Sequence, residues 1–337
     1  MKICKICSDI ADKTGSHIVP HFLMKRIDSE DGKMGRDKEM GFVISEKPSS
    51  YFGRATSPEK LTELFGEIDD SRIENNRIPL VEDYIFCSRC EKELAELESN
   101  YSKSIDKPTF SSDRNYSSKI TSDKALLFWS SVIYRLSISE NSGVRLMPEH
   151  EELFKKILER FFTAQKLIDD SKSITYKLFR AYEYSPKNTT VLHFNPFETN
   201  PYYIVIDEFI IIFSIDQKPF ANKFYDVEIP VRQATDNDIT NKTESIYCLD
   251  YAVLSQLNQA FFDITAKQYK ENLFKECDLV YDKFGFGKVM PLLMKEEIFK
   301  NLTDDEDMVF GDKYTKGHKA KVIYNVIKKH SSKNEFD

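Results

Sequence analysis

Apolar residues along this chain gather into dense blocks separated by polar stretches, and the spacing inside each block predicts its element. Residues 125–136 are apolar on nearly every side of a 3.6-residue period, which predicts a buried helix capped by Thr121 or Ser122. Pro148, followed by Glu149, Glu151 and Glu152, opens a second helix reaching about Leu167, since proline and acidic groups both suit a helix N-terminus. Strong helix formers after Cys90, with Leu94 and Leu97 on one side, predict another. β-Branched and aromatic runs at Ile174–Tyr184, Thr189–Asn195, Tyr202–Ile206 and Phe209–Phe213 predict strands, the last two forming a hairpin or two consecutive buried strands around Asp207 and Glu208. Lys223–Val231 predicts an edge strand ended by Pro230, and helical spacing returns over about Leu249–Phe274 and Met290–Leu302.

The polar stretches divide the chain. Residues 25–60 predict a loop or irregular hairpin turning at Gly32, Gly35, Gly41 and Gly53. Residues 101–121, rich in Ser, Lys and Asp and containing Pro108, predict a linker. The expected organisation is α+β: an N-terminal module over 1–100, the linker, and a larger helix-and-strand domain over 122–337. At 337 residues the chain is long enough for two or three separate cores.

Charge narrows the partners. A net charge of −7 and a pI near 5.6 argue against a general nucleic-acid coat, although a local basic surface would still serve a cleft. The most basic segment, Lys313–Lys333, carries seven lysines and no acidic residue, and reads either as a solvated terminal helix or as a nucleic-acid contact. The longest apolar stretch, Tyr202–Ile215, is broken by Asp207 and Glu208, so no membrane partner is expected. The opening Met-Lys-Ile-Cys has no apolar h-region, which predicts a cytoplasmic protein. In that compartment paired cysteines predict metal binding over disulfides, and the isolated Cys248 and Cys277 read as small buried hydrophobes.

Two Cys-x-x-Cys pairs are present, Cys4/Cys7 and Cys87/Cys90, with His17 ten residues beyond the first. Each short loop turns two sulfurs inward, so the pairs together predict a tetrahedral zinc site, with coincidental buried cysteines as the alternative. The first pair in a tight turn, an irregular hairpin, and the second pair opening a helix follow treble-clef zinc logic. Because 79 residues separate Cys7 from Cys87, the insertion at 25–80 is expected to bulge from the module.

Cys4, Cys7, Ser16, His17, Ile18, Val19, Pro20, Phe22, Leu23, Cys87, Cys90 and Glu91 together resemble the HNH endonuclease superfamily, in its prokaryotic branch with a zinc knuckle and a Ser-His-Ile-Ile/Val-Pro motif. The resemblance covers residues 1–100. It implies a treble-clef ββα-metal fold with structural Zn²⁺ and metal-dependent hydrolysis of phosphodiester bonds in DNA. It also implies a setting in bacterial anti-phage defence. On this resemblance His17 is the general base, and Glu91, in the place of a final His or Asn, is a ligand to catalytic Mg²⁺ or Mn²⁺.

Two positions depart from the family pattern. Ser16 stands where an acidic residue or histidine usually ligates metal. No central Asn is evident, since Asn75 and Asn76 lie far before Cys87, while Glu82 and Asp83 lie nearer. His21 would share a helical face with His17 if Pro20 opens a helix, and Glu98 follows Glu91 by seven residues on one face but suits a solvated flank equally well. His150, His193, His318 and His330 have no partners at ligand spacing. The competing function is a non-catalytic zinc module or regulatory subunit that binds protein or nucleic acid, in which His17 packs beside the knuckle. A protein partner or homo-oligomer is left open.

Overall fold

In the computed structural model the described residues are 2–24, 40–43, 49–52, 59, 80–105, 114–140, 142–165, 167–181, 192–194, 200–303 and 316–331. The fold is α+β, as the pattern predicts. Strand β1 (Ser16–His17) lies first, followed by an antiparallel ribbon of β2 (Met40–Val43) and β3 (Ser49–Phe52) and by β4 (Val81–Glu82). Helix α1 (Ser88–Ser104) leads to β5 (Asn115–Thr121), α2 (Ser122–Ile138) and α3 (Pro148–Ala164). Next come β6 (Ile174–Arg180), β7 (Leu192–Phe194), β8 (Tyr202–Ile206), β9 (Phe209–Ile215), β10 (Lys223–Phe224), β11 (Val227–Glu228) and β12 (Thr243–Cys248). Three helices close the chain: α4 (Tyr251–Lys283), α5 (Leu292–Thr303) and α6 (Lys316–Ser331).

Contacts divide the chain into two compact units, one of Met1–Asp28 with Pro79–Ala260, the other of Ser29–Ile78 with Phe261–Asp337. The Cys-x-x-Cys segments therefore share a unit with the central sheet. That six-stranded sheet runs β5-β12-β6-β9-β8-β7, antiparallel throughout except for the parallel β12–β6 pair. The predicted hairpin is β8–β9, in register from Tyr202↔Phe213 to Ile206↔Phe209.

Both faces of the sheet are buried, which explains why β8 and β9 read as continuous apolar runs. Tyr202, Ile204, Ile206, Ile211 and Phe213 face a core shared with α1, α2, α3 and the cysteine segments. Tyr203, Val205, Ile210, Ile212 and Tyr247 face a second core with Ile229, Val231, Leu254 and Leu257. Helix α2 is buried all round, as its apolar composition requires.

Two expectations change, and a third falls largely outside the described residues. Within residues 101–121, expected as a linker, 101–104 form the last turn of α1 and 115–121 form β5, while 106–113 lie outside the described residues. The strand expected over Lys223–Val231 is instead a two-residue ribbon, β10–β11, separate from the main sheet. Most of the insertion at 25–80 lies outside the described residues, apart from β2, β3, Glu59 and Leu80.

In the second unit, Leu273 and Cys277 on α4 pack with Met294 and Ile298 on α5 and Ile323, Val326 and Ile327 on α6. Cys277 is thus the buried small residue expected. The basic helix α6 is partly neutralised within the unit: Lys319 pairs with Glu276, and Lys329 and His330 reach Glu297 at 2.6 and 2.9 Å. The Lys329 ammonium in turn holds Glu297 below the usual carboxylate range.

Candidate metal centre

The first cysteine pair sits in a tight turn closed by its own backbone. Cys4 N–H donates to the Asp9 carbonyl at 2.7 Å, Ser8 N–H donates to the Cys4 carbonyl at 3.0 Å, and a bridge pairs Ile3 with Ile10. Ser8 adopts a φ of 64° to complete the turn. Gly15 has a φ of 71° with no atom within 4 Å of a would-be Cβ, so backbone conformation and not crowding favours glycine before β1.

The second pair opens α1. Cys87 is its N-cap, with extended backbone and a sulfur accepting from Cys90 N–H at 3.5 Å. Asp12 fastens this helix end to the first turn by accepting from Ser88 N–H at 2.7 Å and Ser88 Oγ at 2.9 Å. Two backbone bonds, Lys5 N–H to the Ile85 carbonyl at 2.9 Å and Tyr84 N–H to the Lys13 carbonyl at 2.6 Å, clamp the segments side by side.

All four sulfurs, of Cys4, Cys7, Cys87 and Cys90, lie within 4.8 Å of one another, and none is in a disulfide. Cys7 and Cys87 are 3.5 Å apart. A tetrahedron with metal–sulfur bonds of about 2.3 Å has edges of about 3.8 Å, so the donor set fits a thiolate-loving ion such as zinc. The sulfurs also compete for protons. The adjacent Cys90 thiol holds Cys4 down to about 4, and the same contact drives Cys90 far above the usual thiol range. Burial raises Cys7 to about 11. Four packed sulfurs cannot all ionise without a cation, and a divalent ion supplies that charge. Outside the quartet, Asp9 accepts from the Cys7 thiol at 3.4 Å and pairs with Arg89 at 3.0 Å.

The predicted chemical residues lie close by along the chain. His17 is half-buried on β1, opposite Val81, and Ser16 stands opposite Glu82. The His17 carbonyl accepts from Arg135 Nη1 at 2.9 Å. Ser16 is 2% exposed, and its hydroxyl has no hydrogen-bond partner among the described residues. Glu91 lies in the first turn of α1, where its Oε1 is buried and likewise unpartnered among the described residues. His21 is exposed and opens a single 3₁₀ turn, His21–Met24, so the shared helical face with His17 does not form. Glu82 accepts from Ser139 Oγ, and Asp83 accepts from Gly15 N–H at 2.6 Å. Among the described residues the cysteine quartet is the only group of three or more His, Cys, Asp or Glu placed to share an ion.

Sequence reasoning missed two buried charges that fix this region. Arg135 on α2, 2% exposed, pairs with Glu98 at 2.6 Å and so joins α2 to α1 and, through the His17 carbonyl, to β1. Glu98 is therefore no solvated flank. Glu244 on β12, fully buried, accepts from Tyr101 Oη at 2.8 Å, Tyr176 Oη at 2.8 Å and Trp129 Nε1 at 3.0 Å. Burial lifts Glu244 to about 7 against the opposing pull of these donors. A charge inside an apolar block, as in Tyr134-Arg135-Leu136 or Glu244 before Ile246, is the signal that announces such pairs. His150 is also structural, its Nδ1 lying 2.8 Å from Tyr202 Oη.

No family profile matches this chain, and no curated protein or solved structure is significantly similar to it. The site therefore rests on its own geometry.

Proposed function

We propose that the protein is a zinc-stabilised endonuclease of the HNH type, hydrolysing phosphodiester bonds in DNA. The observation that carries this reading is the combination of a metal-fitting cysteine quartet, His17 on the adjoining β1–β4 ribbon, and a buried, unpartnered carboxylate oxygen on Glu91 one residue after Cys90. The order of knuckle, short ribbon and helix also supports a treble-clef reading of the module. In this mechanism the His17 imidazole takes a proton from water, whose oxygen attacks phosphorus, and the P–O3′ bond breaks as the 3′ oxygen leaves and is protonated. A bound Mg²⁺ or Mn²⁺ supplies charge stabilisation for the scissile phosphate. Glu91 supplies a hard oxygen donor for that ion, and the four cysteines hold zinc. Anti-phage defence is the biological setting that this activity would suit.

Two observations favour a second reading. The quartet belongs to the main hydrophobic core, and neither His17 nor Glu91 belongs to a group of three or more His, Cys, Asp or Glu that could share an ion among the described residues. Both facts suit a zinc staple without catalysis, in a subunit that binds protein or nucleic acid. A nicking assay on supercoiled plasmid with Mg²⁺ or Mn²⁺ separates the two. The nuclease reading expects His17→Ala to lose at least about a hundredfold in rate while retaining zinc. Equal cleavage by wild type and His17→Ala removes the base assignment, and no cleavage of DNA or RNA by zinc-loaded protein favours the staple.

A further inference from the structure

The connection between α4 and α5 displays an unusual concentration of apolar side chains. Leu279, Phe284, Phe286, Val289, Leu292 and Leu293 follow one another closely in the chain, and each is between 48% and 72% exposed. All lie within the second unit. None belongs to that unit's core, which Leu273, Cys277, Met290, Met294 and Ile298 help to fill, so the fold does not need them apolar. The connection nevertheless has a defined shape. Asp278 accepts from Met290 N–H at 2.7 Å and pairs with Lys295 at 2.7 Å, which folds the segment carrying Val289 back to the turn of α4 that carries Leu279. Phe284 N–H donates to the Val280 carbonyl at 3.1 Å and Phe286 N–H to the Tyr281 carbonyl at 3.3 Å. Gly285 and Gly287 have φ of 78° and 121°, a backbone that side chains disfavour, and between them they set the Phe286 ring 6.4 Å from Phe284 and 5.4 Å from Tyr281.

Single exposed apolar side chains are ordinary on a protein surface, whereas a cluster of this size marks a contact. At about 150–250 Å² for a whole aromatic side chain, and somewhat less for Leu or Val, the six together present about 600 Å², the top of the range for a monomer's largest patch. Two such patches face to face bury about 1,200 Å², which reaches the size of a specific, stable interface. A second copy is therefore sufficient cover. The exposed charges beside the patch also suit a second copy: Asp282 stands with Lys283 and Lys288, so the rim carries both signs and can complement itself across a two-fold axis. A lipid headgroup surface would be met by lysines alone. The fixed backbone lowers the ordering cost of association. We infer that this patch is the interface of a symmetric homodimer, in which the α4–α5 connection of one copy packs against the same connection of the other. The inference goes beyond the nuclease reading and uses neither His17 nor the quartet.

Sedimentation equilibrium of the full-length, zinc-loaded protein over about 1–100 μM tests it. The expected result is reversible association to twice the 39.3 kDa chain mass, with a dissociation constant in the micromolar range or tighter. Phe286→Ser and Leu293→Glu should each weaken association about tenfold or more with unchanged helical circular dichroism, since neither side chain is buried in the unit. Ile10→Glu, at a comparably exposed apolar position in the first unit, should leave association unchanged. Wild-type protein that stays monomeric over the whole range overturns the proposal. So does a dimer that neither patch variant weakens, or one that Ile10→Glu weakens as much. Flotation of monomeric protein with phosphatidylglycerol vesicles, abolished in Leu293→Glu, also overturns it and assigns the patch to a lipid surface.

Discussion

Replacing Glu244 tests whether the buried carboxylate is the tie between α1, α2 and the sheet. In Glu244→Leu the Trp129 N–H keeps the Tyr101 hydroxyl, 2.9 Å away, as an acceptor, but the hydroxyls of Tyr101 and Tyr176 lose theirs. At about 1–3 kcal/mol for each stranded buried donor, the loss is about 2–6 kcal/mol, a large share of a typical domain stability. Glu244→Gln keeps an acceptor and removes the titration. Because burial raises this carboxyl from 4.5 to about 7, its stabilisation is complete below pH 4.5 and is lost as pH rises through 7. Relative to Glu244→Gln, the wild type should therefore lose about 2 kcal/mol between pH 5.5 and pH 8. Trp129 is the chain's only tryptophan and touches the carboxylate itself, so urea unfolding followed by its fluorescence reads this site directly. A stability difference between wild type and Glu244→Gln that stays flat across that pH interval would refute the argument, as would a fully stable Glu244→Leu.

Two other perturbations follow from the geometry. Elemental analysis should find about one zinc per chain, and Cys90→Ser, which alters a sulfur with no exposure, should lower that content and the melting temperature together; full zinc retention by the variant would discard the four-sulfur site. Arg135→Met should cost about 3 kcal/mol in urea unfolding by stranding Glu98 and the His17 carbonyl, and adding Glu98→Gln should recover part of it, whereas additive losses would show that the pair is not coupled.

Elements whose side chains repeat with a clear period were legible in the sequence. Helices α2 and α3 and the β8–β9 hairpin are buried on one side or throughout, so their apolar spacing carries their identity. Strands β5 and β12 were not. β5 sits at the sheet edge and buries only Ser118 and Ile120 between exposed or half-buried positions, so it reads as polar linker. β12 carries its decisive residue, Glu244, as a charge whose three donors are 68 to 143 residues away. The metal centre was legible for the opposite reason. Each Cys-x-x-Cys pair is a local turn, and only the meeting of the two turns depends on the fold. The surroundings of Ser16 and Glu91 depend on tertiary packing alone, and no spacing encodes them.

The quartet joins residues 80 positions apart, and the intervening Ser29–Ile78 belongs to a different compact unit. A bound ion would therefore act as a clasp between two segments far apart in the chain, gathering them into one knot. Closing such a loop depends only weakly on its length, about 0.6 kcal/mol for each doubling. Shortening or lengthening the intervening chain should thus leave the clasp almost unchanged. During synthesis the clasp cannot close until Cys90 has emerged, so the first ninety residues must wait, open and reduced, for their final sulfur.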